Sequence, residues 1–378
     1  MEKVKIKNIF DFQKKSKIKA GDGFKFGEAQ YPFYTSSNVL TKSIDEYLFE
    51  DESLIFGTGG LASIHFCDEK FAVSTDCFVT QPKDKKQVFS KFVYYYLSGN
   101  MNILESGFKG AGLKHISKDY LEKIEIPLPP LATQQKIAAI LDQASAIVAN
   151  NRAIVAKYDA LTQSMFLDMF GDPVKNEKGW ETDILNKVTS KIGSGSTPRG
   201  GKESYKTEGI SLIRSMNVYD NEFYYKDLAF IDDIQANKLK NVIVKENDVL
   251  FNITGASVCR CTIVPKDVLP ARVNQHVSIL RPIKDKLLPI FLNRLLISEN
   301  VKRQLLKVGA AGGATMEAIT KEKIENFEII IPPITIQNQF TERVQAIETQ
   351  KQQAQLALAK SEALFNSLLQ KAFKGELN

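Results

Sequence analysis

The sequence predicts an α+β protein in which two mixed α/β domains are joined by two long antiparallel helices forming a coiled coil, with a pseudo-twofold internal repeat. Three observations carry this prediction. The stretch IPLPPLATQQKIAAIL at 126–141 returns, diverged, as IIIPPITIQNQFTERV at 329–344. Each copy opens a run, from the Pro-Pro to Phe170 or to Phe373, with no glycine and no proline. Ahead of each run lie short β-favouring segments closed by Gly, Pro or Asp, which read as strands and turns.

The bulk numbers agree with two domains. At 378 residues the chain is too long for one ordinary core, since domains usually hold about 100–200 residues. A content of 43% hydrophobic and 25% charged residues is that of a soluble globular protein. No apolar run approaches the roughly 18 residues of a membrane span, and MEKVKIKNIFDF lacks the apolar core of a signal peptide. The expectation is a cytoplasmic protein with no membrane partner. A net charge of +6 and a pI near 8.8 suit a polyanionic partner without demanding one. The four cysteines are too sparse for a disulfide scaffold. Cys259 and Cys261 could share a strand face, but no second Cys or His pair completes a zinc spacing, so buried thiols are expected and no metal.

Taken in order, the chain divides into a first domain at 1–128, a helix at 129–171, a second domain at 172–331 and a second helix at 332–375. The first domain offers YPFYTSSNV (31–39), ESLIFGTGG (52–60) and FAVSTDCFVTQP (71–82) as strand segments. Their counterparts are ISLIRSMNV (210–218), NDVLFNITGAS (247–257) and ARVNQHVSILRP (271–282). A shorter helix follows in each half, around Phe92 to Leu104 and Ile290 to Leu306.

Setting Pro129-Pro130 on Pro332-Pro333 gives an offset of 332 − 129 = 203, which carries Gln134 onto Gln337, Lys157 onto Lys360, Ser164 onto Ser367 and Phe170 onto Phe373 without a gap. A period near 200 duplicates a whole domain-plus-helix unit and is far too long for a solenoid. Proline favours extended backbone before itself and tolerates the first helical turn, so each Pro-Pro reads as a helix entrance. Along the runs, apolar residues recur at alternating steps of four and three. In the first helix these are Ile137, Leu141, Ala144, Val148, Val155, Tyr158, Met165 and Met169. The second has Phe340, Val344, Ile347, Ala354, Leu358, Phe365, Leu368 and Ala372. Such a heptad seam calls for a partner helix, and the polar Asn151, Lys351 and Ser361 on it can fix register. Helices from separate bundles are the alternative.

Two diverged copies joined by such helices imply an intramolecular version of a symmetric dimer. A 40-residue helix spans about 60 Å, comparable to about 18 base pairs of duplex. The arrangement would suit a ruler holding two unlike readers on two short DNA sequences at a fixed separation. Candidate contacts lie where loops interrupt the strands. In the second domain they are Ser194, Ser196, Thr197, Arg199 and Lys202 of GSGSTPRGGK, then Arg214, Asn217, Asn252, Thr254, Arg260, Asn274, Gln275 and His276. Arginine pairs with guanine, and asparagine or glutamine with adenine, in the major groove. The matching places of the first domain hold Lys14, Lys15, Lys17, Ser36, Ser37, Asn38, Thr58, Ser74 and Asp76. Any one of these singly could be a solvated loop residue, and it is the set that points to DNA. Two glycine-rich loops, GFKGAGLKHIS (107–117) and GAAGGATMEAIT (309–320), precede the helix entrances. They are either phosphate-approaching loops or hinge turns. Lys109, Lys114 and His115 would supply donors in the first, and Lys302, Arg303 and Lys307 near the second.

Catalytic patterns fail in turn. GGKE (200–203) has Ser196 and Glu203 where a phosphate loop needs Gly and Ser or Thr. The histidines His65, His115 and His276 are scattered, no Gly-x-Ser-x-Gly occurs, and GTGG (57–60) lacks the following helix of a dinucleotide loop. The Pro-Pro steps are flanked by Leu128 and Leu131 or Ile331 and Ile334, without the polar residue of the Asp- or Asn-Pro-Pro-aromatic motif of DNA amino-methyltransferases.

The two PP-apolar-x-x-Q entrances, MFGDPVKNEKGW (169–180), GSGSTP (193–198) and NDVLFNITGAS, in this order and duplication, resemble the specificity (S) subunit of type I restriction-modification systems over essentially the whole chain. The first domain departs from the pattern, with ESLIFGTGG for NDVLFNITG and no Gly-Ser-Thr-Pro stretch, which places it in another domain subtype. The resemblance implies a non-catalytic subunit with two target recognition domains reading a bipartite, asymmetric double-stranded DNA site. Its helices would set the spacer and dock two modification (M) subunits. It implies no cofactor on this chain. S-adenosylmethionine would belong to the M subunits, and ATP and Mg to restriction (R) subunits where the system has them. A recognition fragment of a DNA methyltransferase, or a coiled-coil adaptor binding only protein, are the alternatives.

Overall fold

The computed structural model describes residues 3–310 and 318–377. Two units emerge: the first runs to Ile154 and resumes at Ala354, and the second spans Val155–Gln353.

In the first unit an antiparallel four-stranded sheet runs in the order Phe10–Phe12, Cys77–Pro82, Ser53–Gly57, Ile64–Cys67. Its central strand is buried on both faces, because alternate side chains leave a strand in opposite directions. Leu54 and Phe56 join a core with Phe92, Val93 and Leu97 of the helix Ser90–Gly99. Ile55 instead meets Tyr34, Phe71, Val73 and Val79, the core shared with a second sheet. That sheet has the order Phe24–Lys25, Lys42–Ile44, Tyr31–Tyr34, Ala72–Val73, its last pair parallel. Double burial explains why Leu54-Ile55-Phe56 reads as an unbroken apolar run and not as an alternating one.

The second unit repeats the plan. Thr189–Ser194, Val277–Pro282, Val249–Asn252 and Cys261–Ile263 form the antiparallel sheet. Val249 and Phe251 face the helix side, while Leu250 faces the other sheet. The second sheet differs at its edge. Its order is Ala229–Ile231, Ile210–Ile213, Ala271–Val273, Ile243–Val244, so the outer strand flanks the parallel strand's far side. In the first unit the outer strand Phe24–Lys25 flanks Lys42–Ile44 instead. NDVLFNITG and ESLIFGTGG diverge for a structural reason. Buried Asp248 takes a bidentate pair from Arg281 at 2.7 and 2.8 Å, where the first unit sets Ser53 beside Gln81.

The shorter helices are each broken where the sequence predicts one helix. Ser90–Gly99 is followed by Met101–Glu105, and Pro289–Ile297 by Glu299–Ala310. Asn100 turns the chain, its amide donating to the Tyr96 carbonyl at 2.8 Å, and a Cβ on Gly99 would lie 2.5 Å from Leu369.

Each unit then reaches its long helix through a short antiparallel strand pair, Lys3–Lys5 with Glu125–Pro127 and Thr182–Ile184 with Glu328–Ile330. The helices are Leu131–Phe170 and Ile334–Lys374. Beyond the first, Gly171 takes a positive φ of 76° and the Trp180 indole N–H donates to the Phe170 carbonyl at 2.9 Å, which stops the helix. Within the first unit the helices run antiparallel: Asn151 donates to Ser361 at 3.2 Å and Arg152 to Glu362 at 2.8 Å, while Ile137 and Leu141, earlier in one helix, share a core with Ala372, later in the other. Within the second, Lys351 meets Asp159 at 2.6 Å, and Phe340 packs between Phe166 and Phe170 with ring centroids 5.6 and 5.1 Å apart. Ile137 and Leu141 enter the first unit's core, and Phe340 and Val344 the second's. Val148, Val155, Tyr158, Ile347, Leu358 and Phe365 are half-buried along the same seam.

The glutamine of each PP-apolar-x-x-Q entrance is fully buried and does the same work twice. Gln134 accepts from the Phe89 N–H at 2.9 Å and donates to the carbonyls of Gln87 and Pro129 at 2.9 and 2.8 Å. Gln337 accepts from the Leu288 N–H at 2.9 Å and donates to Lys286 and Pro332 at 3.0 and 2.8 Å. One side chain thus ties the long helix to the entrance of the shorter one, satisfying backbone groups that water does not reach. Gln134→Ala or Gln337→Ala is therefore expected to destabilise its own unit by about 3 kcal/mol, as an orphaned N–H and two carbonyls lose their partner. Urea unfolding followed by hydrogen exchange in each unit measures this, and an unchanged midpoint would contradict it.

Candidate nucleic-acid interface

In the second unit three strand ends converge on the turn between Ala271–Val273 and Val277–Pro282. The Asn274 N–H donates to the Ile213 carbonyl and the Gly195 N–H to the Asn274 carbonyl, both at 3.0 Å. The Ile253 N–H reaches the His276 carbonyl at 3.0 Å, and the Ile319 N–H the Ile253 carbonyl at 2.9 Å. Gly195 is required by this closeness, since a Cβ there would lie 1.9 Å from the Val273 carbonyl oxygen. The first unit builds the same frame. The N–H groups of Ser74, Thr58 and Ile116 donate to the carbonyls of Tyr34, Asp76 and Thr58 at 2.9, 2.8 and 3.1 Å.

On this frame the second unit opens a cleft of about 380 Å³ lined by Ser215, Met216, Tyr219, Thr254, Arg260 and His276, among others. Gln275 accepts from the Thr197 hydroxyl at 2.5 Å, and its amide nitrogen lies 3.1 Å from His276 Nε2. An amide nitrogen only donates, so Nε2 accepts and Nδ1–H donates to Thr254 Oγ1 at 2.6 Å. Among the described residues, that leaves the Thr254 hydroxyl proton and one Gln275 N–H without a partner and so open to a ligand. Ser196, Arg199 and Lys202 are exposed on the loop beyond half-buried Ser194.

In the first unit Lys14, Lys15, Lys17, Asn38, Lys109, Lys114 and His115 are exposed at the corresponding loops. His115 Nδ1 donates to the Thr58 carbonyl at 3.1 Å, which leaves Nε2 as an outward acceptor. The loop that carries it is a hairpin, Phe108–Lys109 paired with His115–Ile116. Most of its counterpart, residues 311–317 of GAAGGATMEAIT, lies outside the described residues.

Several candidates have other employment. Asn217 and Asn252 are fully buried, donating to the carbonyls of Tyr224 at 2.8 Å and Ser215 at 2.9 Å. Asn274 is buried and caps the His276 N–H at 3.0 Å. Ser74 is buried and accepts from the Asp76 N–H at 3.2 Å, while Thr58 and Ser36 donate to the Asp76 carbonyl at 3.0 and 2.9 Å. Ser37 accepts from the Val39 N–H at 3.1 Å. These side chains shape loops and leave little to offer a base edge. Arg214 donates to the Asp227 carbonyl. Lys302 is held by Asp220 and Arg303 by Glu299, and Lys307 lines a separate hollow with Lys323.

A family described as the type I restriction modification DNA specificity domain matches residues 1–157 and 177–358. The chain belongs to this family. Among its relatives, the EcoBI specificity subunit of Escherichia coli is 26% identical, covering 91% of this chain and 77% of that protein. The MjaVIII specificity subunit of Methanocaldococcus jannaschii is 23% identical, covering 90% and 86%. In fold, the chain is similar to the S subunit of a type I system from M. genitalium, with a TM-score of 0.63 and 14% identity over 98% of this chain and 96% of that one. A chain from work on complex assembly and conformational transition of the type I system matches with a TM-score of 0.57 and 17% identity, covering 100% and 98%.

Burial favours the neutral forms of two side chains in the first unit. Burial lowers the His65 imidazole, whose Nε2 lies 2.8 Å from the Ser37 carbonyl, and pushes the Cys77 thiol up to about 12. All four cysteines are buried, and among the described residues no cluster of three or more His, Cys, Asp or Glu could hold a metal. No described helix is long and apolar enough to cross a membrane. Sequence reasoning missed Met216, Tyr219, Ser257 and the glycine turn at Gly255 as cleft residues. The signal available was SMNVYDNEFYY, an aromatic-rich turn directly after Arg214.

Proposed function

We propose that this chain is the double-stranded DNA reader of a type I restriction-modification complex, each unit taking one half of a bipartite, asymmetric site. The two uninterrupted helices set the spacer and dock two modification subunits. S-adenosylmethionine acts on those partners, and restriction subunits, where present, bring ATP and Mg. The complex works in the cytoplasm, where the DNA is. The observation that carries this reading is the frame repeated in both units. The same backbone bonds gather the strand-end loops, while the side chains they present differ. Equal frames with unequal side chains suit two readers of unlike sequence, and lysine-bearing loops suit phosphates.

Sequencing methylated bases in a host with and without the chain tests it. One split motif should appear only with the chain, and binding of that duplex by the complex should fall steeply as salt rises. S-adenosylmethionine binding by this chain alone, or salt-insensitive and sequence-blind binding, would count against it.

A further inference from the structure

We propose that Arg260, held on the face of Tyr219, reads a guanine in the half-site taken by the second unit. The inference rests on the reading that this unit meets duplex DNA. The Arg260 guanidinium lies 4.3 Å from the Tyr219 ring centroid, and Tyr224 backs that ring at 4.9 Å. Arginine stacks well on an aromatic face while its N–H fork stays available at the edge. The main chain of Arg260 is also anchored, its N–H to the Ser257 carbonyl at 3.1 Å and its carbonyl from the Asn252 N–H at 2.9 Å. Both Arg260 and Tyr219 line the open cleft beside Thr254 and His276.

The other arginines of this domain are engaged differently. Arg281, Arg294 and Arg303 pair with Asp248, Glu348 and Glu299. Arg272 is buried and donates to the carbonyls of Ala236 and Ala271, and Arg214, 5.3 Å from the Tyr205 ring centroid, spends its guanidinium on the Asp227 carbonyl. Arg199 is exposed on its loop, where no aromatic ring or carboxylate holds it among the described contacts. Asp220, next to Tyr219, is already taken by Lys302 and the Cys261 N–H, and no carboxylate among the described residues pairs with Arg260. A guanidinium that is held on a ring and lines a cleft suits the bidentate contact to guanine O6 and N7, where a wandering one suits a phosphate. Residues 1–151 contain no arginine, so the arginine-read guanine belongs to the second unit's half.

The test is methylation sequencing and duplex binding with the complex carrying wild-type chain, Arg260→Ala, Arg260→Lys or Tyr219→Leu. Arg260→Ala should cut discrimination for guanine at one position of one half-site by about 10- to 100-fold, with the other half unchanged. Arg260→Lys, which keeps stem and charge and so guards against misfolding, should relax the same position while retaining the salt dependence. Tyr219→Leu should do the same more weakly. A wild-type half-site without guanine, or equal weakening on all sequences with a shallower salt slope, would overturn the proposal and leave the DNA-reading function standing. A wild-type complex with no chain-dependent motif would overturn both.

Discussion

Exchanging residues 3–127 for another recognition domain is expected to replace one half of the methylated motif completely, leaving the other half and the spacer unchanged. The boundaries follow from the strand pair that closes the domain, in which Lys3 stands opposite Pro127 and Lys5 opposite Glu125. A cut at residue 125 would sever that pair inside Glu125–Pro127 and orphan its backbone groups. The incoming domain must also offer an N–H and a carbonyl to Gln134, as Phe89 and Gln87 do. The other domain is bounded in the same way by Thr182–Ile184 and Glu328–Ile330. Methylation sequencing of the hybrid complex measures the outcome. If both halves of the motif change, the two units do not read independently.

A second large effect is expected from lengthening both long helices. Four residues inserted after residue 155 and after residue 356 should widen the spacer by about 6 Å, or about two base pairs. These points lie between the Asn151–Ser361 and Asp159–Lys351 bonds, so both cross-helix contacts survive. Four residues turn a helix about 40° beyond a full turn, whereas seven leave the seam nearly in phase and should add about three base pairs. Insertion into one helix alone should move Asn151 away from Ser361 and destabilise the pair without giving a clean new spacer. An unchanged spacer in both double insertions would end the ruler idea.

Much of the architecture was legible because it is written in local periods. The four-three spacing from Ile137 to Met169, the Pro-Pro entrances and the 203-residue offset each need only neighbouring residues or self-comparison. The double apolar burial of LIF and VLF was legible as strand but not as two cores. Which face each residue serves depends on what packs there. The break at Asn100 and the different outer strands of the two small sheets were not legible. Each is decided by partners distant in sequence, such as Leu369 beside Gly99.

The same division runs through the candidate interface. The sequence by itself determined that the chain is a duplication, that each copy is a mixed domain feeding a long helix, and which loops interrupt the strands. Tertiary structure alone decided which way the loop residues turn. Asn217, Asn252 and Ser74 go inward to satisfy backbone groups, whereas Arg260 lies on Tyr219 at the cleft. The physical reason is that a polar side chain is buried only when folding brings it a partner, and these partners come from other strands. No local pattern of asparagines, serines and arginines can record that choice.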